Sequence, residues 1–166
     1  MTRLGIAATM LLLTVTSLLQ ALIPLKYWSG VLGSATPVPA EWAGKVTPSL
    51  PQRAASPLER HVSFLVRRAS QKLFWEPSCL AQATATQILL RSQHASGVVV
   101  IGLRRGAENV TSAAGHEGWA AHAWLLGKEG ALSGGAAAEG FVATTLFCLP
   151  QGIQPRDVAL VHPSES

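Results

Sequence analysis

The chain has 166 residues, of which 48% are hydrophobic and 13% are charged, and its net charge is +4. That length accommodates one domain with an appendage, and the composition is unusually apolar for a soluble protein. The basic residues are scattered and are not interleaved with stacking aromatic residues, so we expect no nucleic-acid partner. Two cysteines, Cys79 and Cys148, are too few for a disulfide framework, although they could form one bridge.

The N-terminal segment from Leu4 to Leu25 carries no charged residue and is rich in leucine, isoleucine, alanine and valine. At about 1.5 Å per residue, a helix of that length could cross a bilayer core of about 30 Å. Three interpretations stay open for residues 1–28: a membrane anchor, a signal peptide, or a helix packed on the rest of the protein. No small-residue cleavage site precedes Lys26, which disfavours the signal peptide.

The remaining chain divides into three parts by composition. Residues 29–55 are rich in glycine, serine, proline and alanine, and proline removes backbone donors, so we predict a linker there. Residues 56–150 are predicted to form the folded domain. Residues 151–166 resemble a weakly ordered tail.

The domain is predicted to open with a helix. Ser56 supplies an N-cap, Pro57 a proline at the first helical position, and Glu59 the glutamate of a capping box. Apolar residues then recur at helical spacing as far as Leu73, so one face is expected to pack on the domain. The arginines of this helix are interpreted as a solvated face.

A second predicted helix begins at Cys79. Pro77 keeps the preceding backbone out of the helix, and the Ser78 hydroxyl can accept an unpaired N–H group of the first turn. The free N–H groups and the positive end of the helix dipole favour a thiolate, so Cys79 is a candidate nucleophile. The alternative is a buried structural cysteine, because free cysteine is commonly a small core residue.

Two strands, and a further strand or short helix, are predicted after this helix. The apolar run from Val98 to Leu103 has the length of a buried central strand, and a further strand or short helix is expected from Phe141 to Leu146. The segment Trp119–Leu126 alternates, which places His122 and Trp124 on one face. A histidine held between apolar neighbours suits a general base, although a core histidine that is satisfied by hydrogen bonds is the alternative.

A metal site is disfavoured by the spacing of the ligand-type residues. Residues 105–118 are polar and are predicted to form a loop at the rim of the site, with His116 exposed. Zinc bound by Cys79, His116, His122 and Cys148 is conceivable, but the chain has no paired Cys-x-x-Cys or His-x-x-x-His spacing. We therefore predict no metal ligands.

Five stretches of this domain carry a family resemblance. They are Val66–Ser70, Ser78–Ala83, Ile88–Arg91, Val99–Arg104 and Ala121–Trp124. Together they resemble the lasso-peptide maturation proteases, whose transglutaminase-like domain is also called the microcin-processing C-terminal domain. The resemblance extends from about Leu58 to Leu149, and its most specific pieces are the Cys-Leu helix start and the Ala-His-Ala-Trp strand.

The resemblance implies a fold and an activity. The fold is α+β, a transglutaminase-like or papain-like cysteine peptidase core of helices on a small antiparallel sheet, with the hydrophobic helix attached at the N-terminus. The activity is removal of the leader from a ribosomally made precursor peptide. Position by position, Cys79 matches the nucleophile and His122 the base.

The resemblance also implies partners and a location. These partners are the precursor peptide, a separate leader-recognition protein and a cyclase, with the membrane added if residues 4–25 are an anchor. No cofactor is expected to bind directly, and any ATP dependence would come from elsewhere. The arginines near Arg67 could then contact an acidic leader. The expected location is the bacterial cytoplasm, with membrane association through residues 4–25.

One part of the family pattern is missing. Family members usually carry an aspartate on the neighbouring strand, which orients the imidazole. If Lys128 and Glu129 form the tip of a two-residue hairpin, His122 lies opposite Gly135 and the aspartate position falls near Gly134. That position has no carboxylate, so Ser133, a backbone carbonyl or a water is expected to hold the ring. The gap favours the competing hypothesis, a catalytically impaired, membrane-attached scaffold of the same fold that binds peptides.

Overall fold

The computed structural model describes residues 2–50, 53–105 and 118–158. Within these ranges the helices are α1 (Thr2–Leu22), α2 (Leu25–Trp28), α3 (Pro57–Ser70) and α4 (Cys79–Arg91), and the strands are β1 (Ser34–Thr36), β2 (Val98–Arg105), β3 (Trp119–Leu126), β4 (Ala131–Ser133) and β5 (Val142–Cys148). Short 3-10 helices lie at Ser29–Val31, Ala136–Ala138 and Pro155–Asp157. The predicted α+β class, with helices on an antiparallel sheet and an apolar N-terminal helix, is confirmed.

The five strands form one antiparallel sheet in the order β1-β5-β2-β3-β4. The strand β2 lies at its centre, and Val98, Val99 and Val100 are completely buried. Successive side chains of a strand point to opposite faces, so Val99 packs under the helices while its two neighbours pack on the other face. The prediction of a buried central strand is confirmed, and β5 resolves the choice between strand and helix for residues 141–146.

Side-chain caps fix the starts of α3 and α4. The Glu59 N–H donates to Ser56 Oγ at 3.1 Å, and the Ser56 N–H donates to the Glu59 carboxylate at 3.0 Å, which completes the predicted capping box. The Ala81 N–H donates to Ser78 Oγ at 3.1 Å, so α4 begins at Cys79 as predicted. Each such cap stabilises its helix by about 1 kcal/mol. Helix α3 ends at Ser70.

Helix α1 packs on α3 and α4 along one face. Leu13 is completely buried there, and Thr9 and Thr16 are buried beside it. The threonine hydroxyls donate to carbonyls of their own helix, such as Thr9 to Gly5 at 2.8 Å. Because these hydroxyls have partners, the threonines can be buried beside Leu13. Residues Leu4–Leu22, with a mean hydropathy of 1.8, are also long and apolar enough to cross a membrane by length and composition. In this structure α1 is a packed helix whose outer face is apolar.

The segment 29–55 differs from the linker that its composition suggested. The strand β1 pairs with β5, and Trp42 and Leu50 are buried on the face of the sheet opposite the helices. The Thr47 N–H donates to the Phe141 carbonyl at 2.7 Å. Proline and glycine disfavour helices and internal strands, but they do not prevent a segment from packing on a sheet. Their frequency in residues 29–55 therefore did not reveal that this segment covers one face of the sheet.

The described part of the C-terminal tail also packs on the domain. Ile153 and Val158 contact the same apolar cluster as Trp42, and the Ile153 N–H donates to Ser96 Oγ at 3.0 Å. Residues 159–166 lie outside the described residues.

Candidate active site

Cys79 lies where the outer edge of β3 is open. The pairing of β4 with β3 reaches only from Leu126 to Leu125, so the described part of the chain adds no strand beside Ala123. The Ala123 N–H donates to Cys79 Sγ at 3.3 Å instead. The shortness of β4 therefore makes a backbone donor available to the thiol of α4.

His122 is the second member of the site, and its side chain interacts with that of Cys79 closely enough to shift the pKa of both groups. Its ring stacks on Trp124, with ring centroids 5.9 Å apart and planes at 19°, and contacts Phe141 at 5.3 Å. Gly102 on β2 leaves room for the Trp124 ring, because a Cβ there would lie 2.7 Å from the indole. The structure thus brings the two predicted site residues together and holds the imidazole between aromatic rings.

The backbone of Gly134 holds the other side of the imidazole. His122 Nε2 lies 2.9 Å from the Gly134 carbonyl oxygen. A carbonyl can only accept, so Nε2 carries the hydrogen and the lone pair of the neutral ring is on Nδ1, where it can receive the thiol proton. Gly134 has φ +71°, a left-handed conformation that glycine adopts without strain. Of the three orienting groups expected from the sequence, the backbone carbonyl fills the position.

The strand register differs from the one predicted. The Gly127 N–H donates to the Gly130 carbonyl at 2.8 Å, which confirms the two-residue hairpin. A bulge then pairs Leu125 with Ser133, and β4 ends there, so the prediction that His122 lies opposite Gly135 is wrong. The extra residue lets the chain turn at Gly134 and direct its carbonyl towards the ring.

The pKa values of the pair shift in opposite directions. Burial raises the pKa of the Cys79 thiol, but the hydrogen bond and charge of His122 and the N–H groups of Ala123 and Leu80 outweigh it, and the net pKa is lowered. Burial lowers the pKa of His122, and Arg104 lowers it further, but Cys79 and the Gly134 carbonyl outweigh them and the net pKa is raised. These shifts favour a thiolate–imidazolium pair, whose two protons titrate as a coupled system.

Gln20 of α1 contacts Ser78, the residue that caps α4. The Ser78 hydroxyl donates to Gln20 Oε1 at 2.6 Å. Ser78 Oγ also accepts the hydrogen bond from the Ala81 N–H. This contact fixes the rotamer in which Ser78 caps α4, next to Cys79. Sequence analysis missed Gln20, whose one signal was an amide in an otherwise apolar segment.

Other ligand-type residues do not join the pair. Cys148 is buried on β5, and β2 separates that strand from β3. Burial raises the pKa of its thiol, and Thr36 lowers that pKa by a smaller amount. Both cysteines are free. Residues 2–50, 53–105 and 118–158 contain no cluster of three metal-ligating side chains, and His116 lies outside these ranges.

Comparison with protein families gives a match. A family model described as the transglutaminase-like superfamily matches residues 19–147, a range that contains α2 to β4, most of β5 and both members of the Cys79–His122 pair. No curated protein and no solved structure matches the chain.

The lowered pKa of Cys79 predicts how its alkylation by iodoacetamide depends on pH. An ordinary cysteine thiol has a pKa of about 8.5, and only the thiolate reacts. Because the pKa of Cys79 is lowered, we expect its alkylation to persist at pH values where an ordinary thiol is protonated. His122→Ala removes the hydrogen bond and the positive charge, so the midpoint should move up. Peptide mass spectrometry after timed alkylation measures both midpoints.

Cys148 is the internal control for this measurement. It is 3% exposed and burial raises the pKa of its thiol, so it should react only when the protein unfolds. An unchanged Cys79 midpoint in His122→Ala would show that His122 does not stabilise the thiolate.

Proposed function

Because this chain belongs to the transglutaminase-like superfamily, we propose that it is a cysteine peptidase with Cys79 as nucleophile and His122 as base. One observation carries the proposal: the Cys79 thiol interacts with an imidazole whose Nε2 is held by the Gly134 carbonyl. A nucleophile, a base within hydrogen-bond reach and a group that orients the base are the three parts that covalent catalysis requires.

The proposed reaction begins with the thiolate–imidazolium pair. Cys79 Sγ attacks the scissile carbonyl carbon, and the carbonyl oxygen becomes an oxyanion stabilised by the Cys79 backbone N–H at the start of α4. The imidazolium gives its Nδ1 proton to the leaving amine as the C–N bond breaks, which leaves a thioester. A water molecule then gives its proton to Nδ1 and attacks the thioester, and the thiolate leaves as the acid is released.

The Gly134 carbonyl supports catalysis less strongly than a carboxylate would. Like the third residue of a triad, it sets the tautomer and the orientation of the imidazole. A carbonyl offers only a partial negative charge, so it stabilises the imidazolium less than a full charge does. The expected consequence is a slow peptidase, and the missing carboxylate is what keeps the peptide-binding scaffold as the second candidate.

We propose leader removal from a ribosomally synthesised lasso-peptide precursor as the specific role. The resemblance of the Cys79 helix start and the His122 strand to the lasso-peptide maturation proteases supports it. In that role the chain works with a separate leader-recognition protein and a cyclase in the bacterial cytoplasm. Any ATP use belongs to the cyclase, and nucleic acid takes no part.

Precursor cleavage tests the peptidase. The wild-type chain, incubated with the precursor and the leader-recognition protein, should release the leader, as followed by mass spectrometry. Cys79→Ala and His122→Ala should each reduce the rate by at least about a thousand-fold, because the pair acts as a unit. The rate should rise as Cys79 loses its proton and fall as His122 loses its own. Because the pKa of Cys79 is lowered and that of His122 is raised, the rising limb should lie below the pH at which an ordinary thiol ionises, and the falling limb above the pH at which an ordinary histidine loses its proton.

A different result would support the scaffold. If wild type, Cys79→Ala and His122→Ala all bind the precursor and none of them cleaves it, the fold serves for binding and the pair has lost its chemistry.

We also propose that the outer face of α1 rests on a membrane surface. That face exposes large apolar residues along the whole helix: Leu4, Leu11, Val15, Leu18 and Leu22. Lys26 and the exposed Tyr27 follow it, with Lys26 Nζ 4.8 Å from the Tyr27 ring centroid. An apolar stripe with basic and aromatic residues at its end is typical of helices that lie in the membrane interface.

Liposome flotation tests this surface. The wild-type chain should float with phosphatidylglycerol–phosphatidylethanolamine vesicles, and a Leu11→Glu/Leu18→Glu variant should remain at the bottom, because two charges in the stripe oppose burial in lipid. Phe74→Glu is the matched control, since Phe74 is 95% exposed but lies outside α1. Equal behaviour of the double variant and the control, or a wild-type chain that does not float, would contradict membrane binding.

A further inference from the structure

A cleft lies beside the Cys79–His122 pair, between α3, α4 and the segment that follows β4. Its volume is about 270 Å³, and its lining includes Ser63, Arg67, Gln82, Ser133 and Gly134. Gly134 is the residue whose carbonyl holds His122, and Gln82 lies one helical turn after Cys79 on α4. The cleft therefore shares Gly134 with the surroundings of His122, and neither Cys79 nor His122 is among its lining residues.

Two hydroxyl groups in this cleft lack partners. Ser63 is only 7% exposed, and its Oγ makes no hydrogen bond with the described part of the chain. Ser133 Oγ is likewise buried and unpaired among those residues. Buried polar atoms are nearly always hydrogen-bonded, and an unpaired one is costly. Both serines line the same cleft, so a rotation about χ1 that turns each hydroxyl into it would let a ligand satisfy both.

The charge and size of the cleft indicate the ligand. Arg67 is the one charged side chain among its described lining residues, and the hydroxyls and the Gln82 amide add neutral donors. The Gln82 amide is itself fixed by donation from Nε2 to the Pro77 carbonyl at 3.0 Å. A guanidinium with converging hydroxyl donors suits a carboxylate. The volume of about 270 Å³ is below the range of 300–1,000 Å³ for drug-sized ligands, so the cleft fits one side chain better than a cofactor.

We propose that this cleft is a substrate subsite for an acidic side chain, aspartate or glutamate, near the scissile bond. The Arg67 guanidinium and the Ser63 and Ser133 hydroxyls bind its carboxylate, and the apolar wall of Val66 and Leu132 contacts its aliphatic part. The inference rests on the proposed peptidase function, and it names the residue class that the peptidase selects.

Digestion of a proteome-derived peptide library tests the preference on both sides of the scissile bond. The wild-type chain should cleave peptides with aspartate or glutamate at one fixed position relative to that bond. In Arg67→Glu the cleavage of those peptides should fall by about ten-fold, and peptides with lysine or arginine at that position should gain, because attraction is exchanged for repulsion.

Arg68→Glu is the matched control for charge. Arg68 lies on the same helix, and its guanidinium contacts Gln71 at 3.4 Å rather than the cleft. The control should keep the wild-type preference. Equal shifts in both variants, a wild-type preference for asparagine, glutamine or apolar residues at every position, or no preference at all would overturn the proposal.

Ser63→Ala supplies a readout that a purely structural role would not give. Removal of a buried, unpaired hydroxyl should raise the Tm, while the preference for acidic peptides falls by about three-fold as one hydrogen bond is lost. A lower Tm together with lower cleavage of all peptides alike would mean that Ser63 is structural and would overturn its assignment to the subsite.

Binding separates failure of this subsite from failure of the peptidase. A Cys79→Ala chain, which cannot cleave, is applied to an arrayed peptide library, and the same array is probed with Cys79→Ala/Arg67→Glu. Binding to acidic peptides that the second chain loses supports the subsite even if the wild-type chain cleaves nothing. Binding without acidic preference overturns the subsite even if the wild-type chain cleaves.

Discussion

The hydrogen bond between His122 Nε2 and the Gly134 carbonyl is the constraint on which the site depends. It fixes the tautomer of the imidazole and turns the Nδ1 lone pair towards Cys79. Several features of the fold serve it. The β3–β4 bulge and the left-handed conformation of Gly134 direct the carbonyl to the ring, and Trp124 stacks against the ring from the other direction. A backbone carbonyl thus lies where the lasso-peptide maturation proteases, which the sequence resembles, usually have an aspartate.

The thiol depends equally on backbone groups. Burial alone would raise the pKa of Cys79, yet the His122 side chain and the N–H groups of Ala123 and Leu80 together lower it. One donor comes from the start of a capped helix and the other from a sheet edge that β4 leaves open. Main-chain groups therefore add to the effect that Cys79 and His122 have on each other's pKa, and side-chain motifs do not reveal these groups.

The structural features that could be predicted from the sequence are local. The caps at Ser56 and Ser78 and the alternation around His122 each depend on a few neighbouring residues, and all of them are found in the structure. Other features need tertiary contacts. The bulge shifts the β3–β4 register from the one predicted. The proline-rich segment 29–55 packs on the sheet, and Gln20 contacts Ser78 although 58 positions separate them in the sequence. The cleft at Ser63 and Ser133 arises only when α3 and the end of β4 meet.

The ionisation and tautomer of the His122 ring can be measured directly. Nitrogen-15 NMR of histidine-labelled protein near neutral pH distinguishes imidazolium from the two neutral tautomers. We expect both ring nitrogens in the wild-type chain to keep their protons above the pH at which an ordinary histidine becomes neutral, and we expect Cys79→Ala to leave a neutral ring at high pH with the hydrogen on Nε2. A neutral ring beside a protonated thiol in the wild-type chain, or a hydrogen on Nδ1 in the variant, would contradict these expectations.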